Sequence, residues 1–277
     1  MNSIVTLIAA TAMNAVSPGE AVGIDGVHGL GDTRHHVIAS RTLDKDLHII
    51  VGLPTDYDES GDTEYPTVYV LDGGAHYPLL RGYHRYLRNG EQVPDIILVA
   101  ISYGTSDWQN GNDRSEDFTA PSDEREYWGG AGDYQAFLGS ELIPYIENTY
   151  RSRGDRRVIF GQSIGGQFVL YTAQTKPTLF WGHIASNPAL HSNLPLFLQM
   201  HPATPADGIQ SRLFVASGSD DDPRFREPAL RWMNHWTNTK ERPWHLRAVT
   251  LEGHTHFSAP PASFRQGMLW LFSESEN

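Results

Sequence analysis

The sequence predicts one α/β domain with a mostly parallel central sheet, an antiparallel hairpin at its N-terminal edge and helices on both faces. Three observations predict this class. Two short alternating runs open the domain with a turn between them, apolar runs then alternate with amphipathic stretches, and neither an internal repeat nor a linker divides the 277 residues. Alternating strands and helices are typical of a parallel sheet covered by helices.

The composition supports a packed domain and excludes several classes of function. Hydrophobic residues make up 39% of the chain and charged residues 19%, so intrinsic disorder is excluded as the main state. The net charge of −12 disfavours binding to nucleic acid or to an anionic membrane. The chain has no cysteine, which excludes disulfides, thiolate metal sites and a cysteine nucleophile.

Residues 1–34 are expected to form an N-terminal extension to a domain spanning residues 35–277. Residues 4–13 are apolar and partly resemble a secretory signal, but the first basic residue is Arg34, so the usual basic n-region is missing. Both a signal and an ordinary packed element stay open, as do a cytoplasmic and a periplasmic or secreted location. No apolar run reaches the length of a transmembrane helix.

The first half of the domain is expected to hold the hairpin and two buried strands. Alternating residues predict hairpin strands at 35–40 and 47–53. Short apolar runs predict buried strands at 67–71 and 96–101, with a helix over 78–88 between them. Residues 102–132 are polar and rich in Gly, Asn and Asp, which predicts a long loop of the kind that usually carries function.

The second half continues the alternation. Apolar residues at helical spacing predict a helix over 133–150, followed by a strand at 158–160 and a helix over 164–174. Strands are predicted at 182–186, 213–217 and 246–251, and helices over 223–238 and 262–272. The stretch between residues 186 and 211 is too short for a large lid domain, so an open cleft is expected.

The most informative motif is Gly-x-Ser-x-Gly around Ser163. The pattern is common by itself, but here an apolar strand precedes it and a helical pattern follows it. A nucleophilic serine needs a tight strand-to-helix turn, and its neighbours must be small so that strand and helix can approach. Gly161, Gly165 and Gly166 meet that need. Ser163 is therefore predicted to be a nucleophile.

A serine nucleophile needs a histidine base that is held by a carboxylate, and in this type of fold they follow in the order serine, acid, histidine. Asp221 follows one late strand and His256 follows the last one. Asp221 is preferred over Asp220 and Asp222, although the choice among the three stays open. His254 and His256 form a His-x-His pair, but nothing else at ligand spacing supports a metal site there, so none is expected.

Two backbone N–H groups should stabilise the oxyanion. Ile164 follows the nucleophile at a helix N-terminus, and Gly74, with Gly73 as the alternative, follows the strand at 67–71. Trp108 and Trp128 in the long loop and Trp181 are candidates for contact with substrate.

Several stretches together resemble a known family. They are YPTVYVLDG (65–73), RSEDFT (114–119), FLGSELIPYIENTY (137–150), FGQSIGG (160–166) and GHTHFS (253–258). Over residues 35–272 the chain resembles the putative esterase family of α/β-hydrolases, which includes esterase D, feruloyl esterases and enterochelin esterases. The resemblance implies an α/β-hydrolase fold and ester hydrolysis without a cofactor. It places the nucleophile at Ser163, the base at His256 and the oxyanion donors at Ile164 and Gly74.

The predicted function is hydrolysis of small-molecule carboxylic esters through an acyl-enzyme, with small acyl or aromatic, feruloyl-type esters favoured. Siderophore esterase activity is the alternative, because Arg81, Arg85 and Arg88 share a helical face that could bind an anion. Such arginines more often form a solvated face, and the overall acidity of the chain disfavours an anionic substrate. Small acyl or aromatic esters are therefore favoured over siderophore esters. Acyl transfer to a sugar and a non-catalytic carbohydrate-binding relative are further alternatives. The sequence does not specify the oligomeric state.

Overall fold

A computed structural model describes residues 29–107, 109–123, 125, 128–200, 202 and 210–273. The strands are β1 (Thr33–Ser40), β2 (Lys45–Gly52), β3 (Tyr65–Val70), β4 (Ile97–Ser102), β5 (Ser152–Gln162), β6 (Gly182–Ser186), β7 (Ser211–Gly218) and β8 (Trp244–Leu251). The helices are α1 (Gly73–Asn89), α2 (Arg114–Asp117), α3 (Ala131–Phe137), α4 (Ile143–Thr149), α5 (Ile164–Thr175), α6 (Leu194–Gln199), α7 (Pro223–Asn238) and α8 (Ala259–Phe272). A π-helical segment, Leu138–Leu142, joins α3 to α4.

All eight strands form one sheet in the order β1-β2-β4-β3-β5-β6-β7-β8. The β1–β2 and β2–β4 pairs are antiparallel, and every other pair is parallel. The predicted mostly parallel sheet with an antiparallel N-terminal hairpin is confirmed. Because β3 to β8 all run the same way, the loops that follow their carboxyl ends gather at one edge of the sheet.

The central strands of the sheet are buried on both faces, and their alternate residues enter two separate cores. In β5, Ile159 packs into one core with residues of α3, α5 and α7, while Val158 and Phe160 pack into the other with α1 and α8. The period of two along a strand produces this division. Helices therefore cover both faces, as predicted.

Several helix boundaries differ from the prediction for local reasons. Helix α1 begins at Gly73 and not at residue 78, because Asp72 takes a left-handed conformation (φ 54°) that turns the chain directly from β3 into the helix. The helix predicted over 133–150 is interrupted by the π-helical segment. Pro144 follows that segment and lacks the N–H that a regular α-helix would use there.

Other differences lie in polar segments. The long loop after β4 contains the four-residue helix α2, and the stretch before β7 contains α6. Strand β5 begins six residues before the predicted position, and this added part is polar and partly exposed, so it has no apolar pattern. Residues 1–28 of the predicted extension lie outside the described residues. Among the described residues, no helix has both the length and the apolar character to span a bilayer.

Candidate active site

Ser163 lies at the turn between β5 and α5 with strained backbone angles, φ 59° and ψ −117°. The turn depends on glycine at two neighbouring positions. A Cβ atom at residue 161 would lie 2.3 Å from the carbonyl oxygen of Gly165, and one at residue 166 would lie 2.8 Å from that of Ser186. Strand and helix can approach this closely only without those side chains, which is the arrangement the Gly-x-Ser-x-Gly motif predicts.

Asp221 and His256 form a hydrogen-bonded pair at the same edge of the sheet. His256 Nδ1 lies 2.9 Å from Oδ2 and 3.1 Å from Oδ1 of Asp221, whose side chain is 1% exposed. A carboxylate can only accept, so Nδ1 carries the proton and Nε2 is left as the proton acceptor. His256 and Ser163 line the same cavity. The carboxylate thus holds the imidazole in one tautomer, in a cavity that Ser163 also lines.

The structure distinguishes the three consecutive aspartates that the sequence left open. Asp222 is the N-cap of α7 and accepts the N–H of Arg224 at 2.8 Å. Asp220 is exposed, and its carboxylate accepts from the Ser219 hydroxyl at 2.8 Å. Of the three aspartates, Asp221 is the one whose carboxylate accepts a hydrogen bond from the imidazole.

The two oxyanion candidates lie at the first turns of α1 and α5. Gly74 lines the cavity and is exposed there, whereas Gly73 is buried so tightly that a Cβ atom would lie 2.7 Å from the nitrogen of Ile101. The N–H groups of Gly74 and Ile164 form no hydrogen bond with any described part of the chain. Free N–H groups at helix N-termini suit a developing negative charge.

A half-buried ion pair fixes the loop that carries Gly74. Arg114 donates from Nε and Nη2 to the two carboxylate oxygens of Asp72 at 2.7 and 2.9 Å. Burial lowers the pKa of Arg114, but the attraction of Asp72 outweighs it and the pKa is raised overall. The long loop after β4 is thus anchored to the turn before α1, and the RSEDFT stretch supplies the anchor.

The sequence suggested that the turn at Asn187 could line the cleft, but it did not predict that this side chain joins the loops that carry the acid and the base. Its Oδ1 accepts the N–H of Gly218 at 2.8 Å, and its Nδ2 donates to the carbonyls of Thr255 and His256 at 3.3 and 3.4 Å. Gln162 also donates to the His256 carbonyl, at 2.8 Å. Asn187 is 1% exposed and has a φ of 40°. An asparagine directly after a buried strand was the available signal.

The three tryptophans fall into different places. Trp108 lies outside the described residues. Trp128 lines a small pocket that also contains Ser163. Trp181 does not lie where a contact with substrate would require. It precedes β6 and therefore lies at the amino edge of the sheet, opposite the site. Its ring packs 5.3 Å from that of Phe272 and 4.9 Å from the guanidinium of Arg156.

The main cavity has a volume of about 1140 Å³. Besides Ser163 and His256 it is lined by the His35–His48 pair, whose Nε2 and Nδ1 atoms lie 2.9 Å apart, and by Phe225, whose ring packs 4.6 Å from that of His256. None of these three side chains was a candidate from sequence.

No group of three or more metal-ligating side chains suited to a metal ion occurs in the part of the chain that is described.

Two of the three arginines of α1 have partners within the protein. Arg81 is buried and donates to the carbonyls of Leu30 and Leu53. Arg88 pairs with Asp95 at 2.8 Å. Neither side chain lines the main cavity, so the anion site that these residues suggested is not formed by Arg81 and Arg88.

The chain is similar to proteins whose names record ester hydrolysis. It is 29% identical to the Bacillus subtilis (strain 168) ferri-bacillibactin esterase BesA over 191 residues, 64% of this chain and 65% of the relative. It is 25% identical to the Escherichia coli O6:H1 apo-salmochelin esterase over 229 residues, 77% of this chain and 71% of the relative. The alignment with the first relative thus spans slightly less than two thirds of that protein.

Solved structures show the same fold. The BES protein from Bacillus cereus has a TM-score of 0.76 at 20% identity, covering 88% of this chain and 97% of that one. The siderophore hydrolase EstA from Aspergillus nidulans has a TM-score of 0.71 at 20% identity, covering 95% and 98%. The model of the family described as "Putative esterase" matches residues 40–265. The chain therefore belongs to the putative esterase family and has the α/β-hydrolase fold.

Proposed function

We propose that this protein is a serine hydrolase that cleaves ester bonds of siderophore-type substrates through an acyl-enzyme. The observation that carries the proposal is the Asp221–His256 pair in the same cavity as Ser163, with Ser163 on a strained turn. The same observation argues against a non-catalytic carbohydrate-binding role, because such a relative would be expected to lack part of this set.

The geometry supports an ordinary two-step mechanism. His256 Nε2 takes the Ser163 proton as Oγ attacks the ester carbonyl, and the N–H groups of Ile164 and Gly74 stabilise the oxyanion. When the ester C–O bond breaks, the leaving alcohol receives the proton from His256. Water then attacks the acyl-enzyme with His256 as base, which releases the acid and restores the Ser163 hydroxyl.

Two observations favour a siderophore-type ester over the small or aromatic ester that the sequence favoured. EstA from A. nidulans is named a siderophore hydrolase, and the relatives from B. subtilis and E. coli are named a ferri-bacillibactin esterase and an apo-salmochelin esterase. The cavity of about 1140 Å³ exceeds the usual range of about 300–1,000 Å³ for ligand pockets, so it has room for a substrate larger than a simple acyl ester. The iron of such a substrate would be cargo and not a cofactor of the enzyme.

Replacing Ser163 tests the chemistry. Ser163→Ala should abolish hydrolysis of 4-nitrophenyl acetate and labelling by a fluorophosphonate, because Oγ is the attacking atom. Ser60→Ala, in an exposed turn where the hydroxyl bonds Asp58, is the matched control and should retain both. Circular dichroism checks that both variants fold. Full activity in folded Ser163→Ala would refute the mechanism.

A substrate panel tests the substrate class. Purified enzyme is given a ferric tricatecholate siderophore that contains ester bonds, methyl ferulate and 4-nitrophenyl acetate, and the products are quantified by chromatography. We expect the highest kcat/KM for the siderophore ester. A higher value for methyl ferulate would favour the feruloyl-type alternative while leaving the serine mechanism intact.

A further inference from the structure

A second, smaller pocket of about 200 Å³ lies beside Ser163. Ser163 and Ile164 line it, but His256 does not. The main cavity shows the converse arrangement, since it is lined by Ser163, Gly74 and His256. The side chain of Phe225 lines both and packs against His256. Ser163 is thus shared by two spaces that differ in their access to the base.

This difference separates the two halves of an ester, and the inference rests on the proposed hydrolase function. The leaving alcohol must receive a proton from His256, so the alcohol half lies in the main cavity. The carbonyl oxygen is directed to the N–H groups of Ile164 and Gly74. The remaining substituent of the carbonyl carbon is the acyl half. We propose that the small pocket binds the acyl half of the substrate and selects a single aromatic ring with an anionic substituent.

The walls of the small pocket suit an aromatic ring. Trp128 and Phe225 line it, and aromatic side chains favour stacked or edge contacts with another ring. Its volume matches one ring, because a cavity of about 150 Å³ is known to hold benzene.

The described charged side chains that line the small pocket suit an anion. Arg125 lies with its guanidinium 5.9 Å from the Trp128 ring, and Arg224 lies 5.7 Å from the Phe225 ring. Arg224 Nη2 also lies 3.1 Å from Nε2 of His191, a third lining residue. None of the described lining residues is acidic, whereas Asp72 and Asp220–Asp222 line the main cavity. Guanidinium groups bind carboxylates and phenolates through charge-assisted hydrogen bonds.

The floor of the small pocket is fixed before any substrate arrives. Gln167 is 2% exposed; its Oε1 accepts the N–H of Ala120 at 3.0 Å and an N–H of Asn193 at 3.2 Å. Its Nε2 donates to the carbonyl of Ala189. Helix α5 is thereby tied to the two loops that form the pocket, so its shape can select among acyl groups.

Esters that share a leaving group test the proposal. The three probes are 4-nitrophenyl acetate, 4-nitrophenyl benzoate and the mono-4-nitrophenyl ester of terephthalic acid, which carries a carboxylate on the acyl ring. The variants are Arg224→Gln, Arg125→Gln, their double and Trp128→Leu. Arg231→Gln is the matched control, because it lies two turns further along α7 and lines neither of these two spaces.

Wild type should prefer the carboxylated benzoyl ester over the plain one, and the double arginine variant should reduce this preference about tenfold. Trp128→Leu should reduce the preference for benzoate over acetate. An unchanged preference in the double variant overturns the proposal. A further pair of esters, 4-carboxyphenyl acetate and phenyl acetate, differs by a charge on the alcohol half. A change in the double variant that is confined to this pair also overturns the proposal.

Failure of the small pocket and failure of the proposed function give different results. If wild type is labelled at Ser163 by a fluorophosphonate and hydrolyses all three esters without discrimination, only the acyl-pocket proposal is wrong. If wild type is neither labelled nor active, the hydrolase function itself is wrong.

Discussion

Three consecutive aspartates perform three different tasks, and their hydrogen bonds show which is which. Asp221 accepts from the His256 imidazole, Asp222 caps α7, and Asp220 stays exposed with a hydroxyl partner. A carboxylate that is buried against an imidazole orients the ring and stabilises the imidazolium that forms during the reaction. An exposed or capping carboxylate does neither.

Amide substitutions should separate these tasks. Asp221→Asn should lower kcat about a thousandfold or more, because Asn can donate to Nδ1 and so favours the wrong tautomer of His256. Asp220→Asn is the matched control and should change kcat by less than about threefold. Steady-state kinetics on 4-nitrophenyl acetate measures both. Equal losses in the two variants would contradict the assignment of the acid.

Asn187 is a positioning residue, because its side chain holds together the loops that carry Asp221 and His256. Asn187→Asp keeps the acceptor for the Gly218 N–H but removes the donor to the carbonyls of Thr255 and His256. We expect it to lower kcat about tenfold or more with little change in KM, since the base moves and the cavity stays. The labelling rate at Ser163 should fall in parallel. A loss of thermal stability with unchanged kcat would indicate a structural role only.

At the scale of elements, the strand-turn-helix unit from β5 to α5 depends on close approach and not on flexibility. Gly161→Ala should destabilise the protein by about 3 kcal/mol or more, because the new methyl group would meet the Gly165 carbonyl at 2.3 Å. Gly82→Ala, within α1, meets no atom within 4 Å and should stabilise by about 0.5–1 kcal/mol through helix propensity. Urea unfolding followed by circular dichroism measures both. Similar effects of the two substitutions would contradict this explanation.

The apolar strands were predictable because buried parallel strands leave continuous apolar runs in the sequence. Strand β6 has the predicted bounds, and β7 and β8 extend theirs only by a few residues. Polar elements leave no such pattern. The first part of β5 and the short helix α2 are held instead by tertiary contacts, such as the bond from the Tyr103 hydroxyl to Asp117 at 2.8 Å.

At the scale of the whole molecule, the net charge differs in sign from the charge of the described side chains that line the small pocket. The value of −12 disfavoured an anionic substrate, yet the small pocket beside Ser163 has two arginines and no acidic residue among its described lining. Screening limits the effect of distant charges to about 10 Å at moderate salt, so local groups decide what a cleft attracts.

Buried histidines couple the stability of the whole molecule to pH. Burial lowers the pKa of His84 to about 4 and that of His183 to about 3, from an ordinary value of 6.5. Between about pH 6.5 and pH 4 the unfolded chain therefore binds more protons than the native one, so acidification lowers the free energy of unfolding and raising the pH restores it.

Replacing His84 should remove part of this dependence. The native pKa of about 4 implies that protonation of this side chain lowers the free energy of unfolding of wild type by about 2 kcal/mol between pH 7 and pH 5. His84→Gln keeps a donor for the Pro94 carbonyl. Between pH 7 and pH 5 its free energy of unfolding should therefore fall by about 2 kcal/mol less than that of wild type. Urea unfolding at the two pH values measures the difference, with the exposed His245→Gln as control. An unchanged pH dependence in His84→Gln would contradict this coupling.

The sequence alone determined the fold class, the strand order along the chain, the serine turn and the order of Ser163, Asp221 and His256. These features follow from local patterns: apolar periodicity, glycines at a tight turn and polar residues after strand ends. Only the tertiary structure decided that Asp221 is the partner of His256, that Asn187 joins their loops and that Trp181 lies at the wrong edge of the sheet. Those outcomes depend on which loops meet when the parallel strands align. Such contacts join residues that are far apart in the sequence, so no local pattern predicts them.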